Sequence, residues 1–158
     1  MWVIAMSLEE YKKKRNFRKT PEPSGSAKKN ERSGSIFVIQ EHHASHLHWD
    51  LRLEMGGVLR SWAIPKEPTL RPGIRRLAIQ TEDHPLEYAD FEGLISEGQY
   101  GSGEVKIWDR GTFELESLHD DKMVFLMSGA RMMGTYVLLR FRPKTGDAKN
   151  TWLFFKRK

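Results

Sequence analysis

The stretch L-H-W-D-L-R-L-E, Leu47 to Glu54, alternates apolar and polar side chains without a break. A period of two puts successive side chains on opposite faces of a β-strand. Leu47, Trp49, Leu51 and Leu53 form an apolar face, and His48, Asp50, Arg52 and Glu54 form the other. M-G-G at 55–57 is a hairpin signal, and V-L-R-S-W-A-I (Val58 to Ile64) is the returning strand. Upstream, I-F-V-I-Q-E (Ile36 to Glu41) is β-rich. Downstream strands are expected at Arg76 to Thr81, Glu104 to Trp108, Thr112 to Glu116, Met123 to Met127, Thr135 to Phe141 and Thr151 to Lys156, with D-R-G (Asp109 to Gly111) as a tight turn. About eight or nine short strands without a long amphipathic helix predict a mainly β domain, a barrel or a sandwich.

The 158 residues fit one domain, and five Trp, eight Phe and four Tyr supply enough apolar volume to exclude wholesale disorder. Nowhere do the roughly 18 apolar residues of a membrane span run together. The opening M-W-V-I-A-M lacks the basic start and cleavage site of a secretory signal. Cysteine is absent, which excludes disulfides, thiolate metal sites and cysteine nucleophiles. The composition fits a reducing, cytoplasmic setting without a membrane partner.

Charge is unevenly spread. The net charge is +5, but residues 11–32 alone hold nine cations against Glu22 and Glu31, a net of +7. Such an arm suits a polyanion such as nucleic acid; the plain alternative is a solvated tail. T-P-E-P-S-G-S (Thr20 to Ser26) is loop chemistry, and Ser7 with Glu10 is a capping box for a short helix over Leu8 to Phe17. The expected division is an arm over 1–32, with a short helix, and a compact domain over 33–158.

The polar face of Leu47 to Glu54 is unlike an ordinary solvent face. His48 and Asp50 offer a nitrogen and a carboxylate ligand, and Arg52 offers a bidentate anion clamp. His42 ends the preceding strand and can converge on the same patch. Two imidazoles and one carboxylate leave open positions on Mn²⁺, Fe²⁺ or Zn²⁺. The alternative is a partly buried polar strand with satisfied hydrogen bonds, but His42, His43, His46 and His48 crowd four of the six histidines into seven residues. His84 sits before a proline in E-D-H-P-L-E-Y, where it can serve as a general acid, a phosphate ligand or a turn filler. Lys66, Arg75 and Arg76 are candidate phosphate contacts. G-Q-Y-G-S-G-E (Gly98 to Glu104) matches no nucleotide-binding fingerprint and reads as a close-packed turn.

Taken together, Y-K-K-K-R-N-F-R-K-T-P-E-P (Tyr11 to Pro23), F-V-I-Q-E-H-H-A-S-H-L-H-W-D-L-R-L-E (Phe37 to Glu54), S-W-A-I-P-K (Ser61 to Lys66), E-D-H-P-L-E-Y-A-D-F-E-G (Glu82 to Gly93), E-G-Q-Y-G-S-G-E-V-K-I-W-D-R-G-T-F-E (Glu97 to Glu114) and the W-L-F-F-K ending at Lys156 resemble the 3′-phosphoesterase module of bacterial DNA ligase D, also found as free-standing archaeal proteins. The resemblance implies a compact closed β-barrel of about eight strands with short flanking helices. It implies Mn²⁺-dependent healing of DNA 3′ ends: removal of a terminal ribonucleoside, then of the 3′-phosphate, during break repair by end joining. By position it makes His42, His48 and Asp50 the metal ligands and puts Arg52 on the scissile phosphate with Gln40 nearby. His84 and Tyr88 face the phosphate from the other side, Lys66 and Arg76 assist its binding, and Arg15 and Glu22 fold over the site. DNA 3′ ends, a ligase, a polymerase and a Ku-like end-binding protein are the implied partners of a monomer. Two departures stand out: the usual Arg-Asp-Phe of the arm is Arg15-Asn16-Phe17, and the usual Arg-Arg before the Leu-His-x-Asp run is Ser45-His46.

Two other readings use some of the same residues. An Fe²⁺ oxygenase would take His48, Asp50 and His119 as its ligands and Arg131 as a keto-acid clamp. A non-catalytic nucleic-acid-binding accessory module would use the basic arm and leave the convergent His, Asp and Arg unexplained.

Overall fold

The computed structural model describes residues 8–25, 35–141 and 150–158. Nine strands form one antiparallel sheet: β1 (Ser35–His43), β2 (Leu47–Met55), β3 (Val58–Ile64), β4 (Arg76–His84), β5 (Gly93–Ile95), β6 (Gly103–Leu118), β7 (Lys122–Gly129), β8 (Met133–Arg140) and β9 (Thr151–Lys156). Their order is β1-β2-β3-β4-β9-β8-β7-β6-β5, and β1 also pairs with β6. That pairing closes eight strands into a barrel and leaves β5 as an outer addition to β6. The mainly β expectation therefore resolves into a closed barrel, which removes the free sheet edges a sandwich would carry. No helix among the described residues is long and apolar enough to cross a membrane.

The period-two reading of β2 holds in three dimensions. Trp49, Leu51 and Leu53 join Phe37, Ile39, Trp62 and Phe154 in the barrel interior. Leu47, at the strand's start, is instead 43 % exposed. Both central residues of the β2–β3 hairpin are glycines with positive φ, 62° at Gly56 and 83° at Gly57, as the favoured two-residue turn requires.

A second apolar layer lies outside the barrel wall. Tyr11, Val38, Leu59, Tyr88, Phe91, Ile95 and Val105 pack together there. Helix α1 (Glu9–Lys13), a 3₁₀ helix (Leu86–Asp90) and β5 supply the cover. The outward faces of β1 and β2 are thus buried as well, and their His, Asp, Arg and Gln side chains lie between two apolar layers.

Three local expectations are corrected. The arm helix is confined to Glu9–Lys13, with Leu8 at its N-cap and no side-chain cap. Its end has a specific cause: the Arg15 guanidinium donates to the Tyr11 carbonyl at 3.0 Å, while the Arg15 amide turns to Lys12 at 3.2 Å. The side chain thereby takes the acceptor that the next helical amide would use. Ser7 and the arm residues Lys28, Lys29, Glu31 and Arg32 lie outside the described residues.

Second, Asp109 to Gly111 is no turn, because β6 runs through it. A bulge sits there instead, since Ile39 pairs with Asp109 while Gln40 pairs with Ile107. Trp108 and Asp109 both turn inward, and the Asp109 carboxylate accepts the amides of Ala130, Arg131 and Met132 at 2.8–3.1 Å, holding the β7–β8 turn. Third, β4 extends three residues beyond Thr81, through a second bulge.

Leu51 is fully buried among interior side chains. Leu51→Ala should lower stability by about 2–5 kcal/mol, measured by urea unfolding.

Candidate active site

The outward face of β2 builds the floor of a cleft. Cross-strand pairing sets His42 beside His48, Gln40 beside Asp50 and Ser61 beside Arg52. The cleft is lined by these strands together with residues of the arm, β4, the 3₁₀ helix and the loop before β6, among them Arg15, Glu22, His84, Tyr88 and Tyr100.

One ligand atom each from His42, His48 and Asp50 lies within 4.8 Å of the other two. The outer nitrogens settle the tautomers. His42 Nε2 is 2.6 Å from the Gly101 carbonyl, and His48 Nδ1 is 3.0 Å from the His46 carbonyl. A carbonyl only accepts, so those nitrogens carry hydrogen. The inner nitrogens point at Asp50, His42 Nδ1 at 3.6 Å and His48 Nε2 at 3.3 Å from its Oδ2, and each offers a lone pair to a metal when it carries no proton. Two imidazole nitrogens and a carboxylate oxygen converging in this way form a donor set for one cation. Outer nitrogens fixed on backbone carbonyls are the usual support of metal-ligating histidines, so these residues fit a divalent metal. Burial lowers the pKa of His48, but its contact with Asp50 outweighs this and raises it. Burial alone would raise Asp50; Arg52, His42 and His48 instead hold it well below the usual carboxylate range.

Arg52 is held on every side. It donates from Nε to Gln40 Oε1 at 2.6 Å and from Nη1 to Ser61 Oγ at 2.8 Å, and its Nη2 lies 3.4 Å from Asp50 Oδ2. Its guanidinium carbon sits 4.8 Å from the Tyr88 ring centroid. Gln40 is fully buried beneath it, with its amide donating to the Tyr88 and Phe91 carbonyls.

The bulge in β4 is what delivers His84. Ser61 pairs with Thr81, yet Leu59 pairs with His84, one residue out of step. Strict alternation from Thr81 would send His84 into the barrel; the extra residue returns it to the cleft beside Glu82. His84 Nδ1 is 2.9 Å from the Glu82 carbonyl, and Nε2 faces Arg15 Nη2 at 3.3 Å. Burial, then Arg52 and Arg15, push its pKa well below the ordinary value, so His84 is neutral.

The arm closes the cleft with charge. Arg15 Nε donates to Glu22 Oε2 at 2.9 Å and Nη1 to Glu82 Oε2 at 3.1 Å. Tyr88 donates its hydroxyl to Glu22 Oε2 at 2.6 Å, and burial raises its pKa well above the ordinary value. Lys14 reaches Glu82 Oε1 at 3.0 Å. The tyrosine ring of Tyr11 packs against His84 at 4.9 Å between centroids, and its hydroxyl donates to the Pro23 carbonyl.

Of the residues expected from the sequence, His42, His48, Asp50, Arg52, His84, Tyr88, Arg15 and Glu22 line the cleft. Gln40 lies under Arg52. Lys66 is exposed past the end of β3, and Arg76 donates from Nε to the Glu67 carbonyl at 2.9 Å; neither borders the cleft. His43 is exposed and pairs with Glu41, and His46 contributes only its carbonyl. Asn16, which stands where the family's usual Asp is expected, is exposed, accepts from the Arg18 amide at 3.1 Å and is not among the residues lining the cleft. Sequence reading missed Ser61, Glu82, Lys14, Tyr100 and the Gly101 carbonyl. Ser61 and Glu82 stood in quoted motifs, but only the strand register shows what they touch.

The iron reading is corrected by placement. His119 is exposed between β6 and β7, and the third donor beside His48 and Asp50 is His42. Arg131 lies over the Trp108 ring at 4.6 Å.

A sequence profile of the DNA ligase D 3′-phosphoesterase domain matches residues 40–140. The chain belongs to this family. It is 44 % identical over 157 residues to the multifunctional non-homologous end joining protein LigD of Pseudomonas aeruginosa, covering 96 % of the chain and 18 % of that relative. It is 49 % identical over 141 residues to the LigD protein of Mycobacterium tuberculosis H37Rv, covering 87 % and 19 %. The LigD protein of Mycolicibacterium smegmatis is 41 % identical over 152 residues, covering 89 % and 20 %. The chain thus spans about a fifth of the length of these relatives. The phosphoesterase family places its chemistry at phosphoester bonds, and the cleft supplies cations and metal donors suited to them.

Two measurements follow. Calorimetric titration with Mn²⁺ should show one ion per chain, lost in Asp50→Asn. Burial raises the pKa of Glu82, but its hydrogen bonds and cations win and lower it below the ordinary 4.5. Its contribution to stability is therefore present above that value and fades as pH falls through the lower, folded one. The gap in urea stability between wild type and Glu82→Gln should be widest near pH 7 and close in acid.

Proposed function

We propose that the chain is a divalent-metal-dependent DNA 3′-end-healing phosphoesterase, with Mn²⁺ as the working ion. It removes a 3′-terminal ribonucleoside by phosphodiester cleavage, then the remaining 3′-phosphate, leaving a 3′-OH for a polymerase or ligase in end joining. A Ku-like end-binding protein belongs to the same setting. The observation that carries this reading is the convergence of the His42, His48 and Asp50 donors beside the immobilised Arg52 guanidinium. A binding-only module has no use for such an arrangement.

Charge supports it. Asp50, Glu22 and Glu82 offset Arg52, Arg15 and Lys14 in and around the cleft. A phosphate gains little net field from such a balanced set, whereas a divalent ion tips it positive. When bound, that ion supplies Lewis-acid stabilisation of the phosphoryl oxygens.

This chain's own residues do the rest. Arg52 faces the charge that spreads over the equatorial oxygens, already desolvated and fixed, so no reorganisation is needed as the transition state forms. Arg15 binds the phosphate from the arm, and Glu22 with Tyr88 keeps it aimed. In each step a bond forms from water oxygen to phosphorus as the bond to the leaving oxygen breaks, the 5′ oxygen of the terminal ribonucleoside in the first step and the 3′ oxygen of the primer in the second, and a proton goes to that leaving oxygen. His84 is the group placed to move this proton. Its neutral Nε2 takes a proton once a phosphate dianion offsets the Arg52 and Arg15 charges that depress its pKa. Lys66 and Arg76 would contact phosphates outside the cleft.

The test uses a 5′-labelled primer-template ending in a 3′-phosphate, incubated with Mn²⁺. Conversion to 3′-OH is expected, abolished by EDTA and by His48→Ala, and slowed about 10²–10³-fold by Arg52→Ala. Failure on both this end and a 3′-ribonucleotide end would sink the proposal.

A further inference from the structure

Strand pairing brings together two basic runs that are far apart in the chain. Residues 66–76 carry Lys66, Arg71, Arg75 and Arg76, and residues 156–158 are Lys-Arg-Lys. Arg76 lies opposite Phe154 in the β4–β9 pairing, and Pro72 bridges to Lys156. The Gly73 amide donates to the Lys156 carbonyl at 2.9 Å. The Arg75 guanidinium lies 4.8 Å from the Phe155 ring centroid. A Cβ on Gly73 would meet Lys158 Cε at 2.9 Å, so the Lys158 stem rests on this loop.

The two runs hold seven cations and one carboxylate, Glu67, a net of +6. With the whole chain at +5 and the arm at +7, the remaining 122 residues net −8. Arg157 pairs with Glu116 at 3.7 Å; among the described residues no ion pair holds the other six. A face kept only for solubility mixes its signs, whereas a single-sign patch on an otherwise acidic body is the footprint of a polyanion.

The patch begins on the same two strands that carry one wall of the cleft. Ala63 of β3 and Thr81 of β4 line the cleft wall. Past the Ala63–Ile79 pair the two segments stay in contact, with Arg76 Nε donating to the carbonyl of Glu67 at 2.9 Å, and there the patch begins at Lys66 and Arg76. A DNA end seated in the cleft must carry its upstream phosphates away over some surface, and a duplex presents about one charge per 1.7 Å.

We infer that loop 66–76 and the end of β9 form an electrostatic track for the upstream duplex while its 3′ end occupies the cleft. This rests on the cleft being a site for DNA 3′ ends. Contacts of this kind fix position and read no bases.

The test is fluorescence anisotropy of a labelled duplex with a recessed 3′ end, titrated over a range of salt. The variants are Arg71→Glu/Arg75→Glu/Lys158→Glu and, as a charge-matched control, Lys106→Glu/Arg110→Glu/Lys122→Glu. Each lost phosphate contact should flatten the log–log salt slope by about 0.9, so the track variant should lose about 2–3 from the slope and the control much less. Turnover of bis(p-nitrophenyl) phosphate, which is too small to reach the track, should be unchanged. If the triple variant melts early, Arg71→Gln and Lys158→Gln singly should each remove about one contact's slope. Equal losses in track and control variants overturn the track. So does a loss of binding to phosphatidylserine vesicles with duplex binding intact, which would make the face a lipid surface. If wild type binds duplex through the track but turns over neither phosphoester, the catalytic reading falls and the track stands.

Discussion

A guanidinium buried against the outer wall of the barrel sets the terms for everything around it. Arg52 is 4 % exposed, and a charge so far from water is tolerated only when its donors and its field are answered. Gln40 and Ser61 take its hydrogen bonds, Asp50 takes its charge, and the Tyr88 ring covers its face. Each partner is then constrained in turn. Gln40 anchors the carbonyls of Tyr88 and Phe91, which holds the 3₁₀ helix and its end against β1. Asp50, kept ionised, faces both histidines. The site is thus one network in which binding geometry and local fold are the same set of contacts.

That network explains why both faces of β1 and β2 are buried. A barrel of this size fills its interior with side chains and has no room for a polar site. The polar face must therefore look outward, and it becomes a site only because the arm, the 3₁₀ helix and β5 cover it. The apolar part of this cover, Tyr11, Tyr88, Phe91 and Ile95 over Val38 and Leu59, excludes water from the charged groups beside it. Desolvation strengthens each interaction there and makes any missing partner costly.

What was legible in the sequence followed from periodicity. The alternation of Leu47 to Glu54 showed the strand, its interior face and the row His48, Asp50 and Arg52, because period two alone decides which side chains share a face. His42 followed from adjacency across a short connection. Bulges escaped, since an extra residue in one strand leaves no mark in a single sequence. At Trp108 and Asp109 a bulge inside a continuous strand looked like a turn. At Glu82 a bulge reversed the face that alternation assigns to His84, and the motif around that histidine, not its spacing, pointed to the site. The arm helix was read too long because its end depends on Arg15 reaching back to the Tyr11 carbonyl, a tertiary choice made by Glu22 and Glu82.

Arg15 is where arm and cleft meet, and its position says how they work together. One guanidinium serves Glu22, Glu82 and His84 at once. Its charge depresses the proton affinity of His84, while Glu22 and Glu82 hold it 5 % exposed in the cleft wall. On the proposed phosphoesterase reading, an arriving phosphate would add negative charge beside Arg15 while the carboxylates behind it stay in place. The pull on His84 would weaken in the same event, so on that reading the histidine gains the ability to carry a proton when there is a substrate to use it. A free cation on a mobile arm could bring the charge but not the timing; that depends on Glu22 and Glu82 having set the guanidinium against His84 before the phosphate arrives.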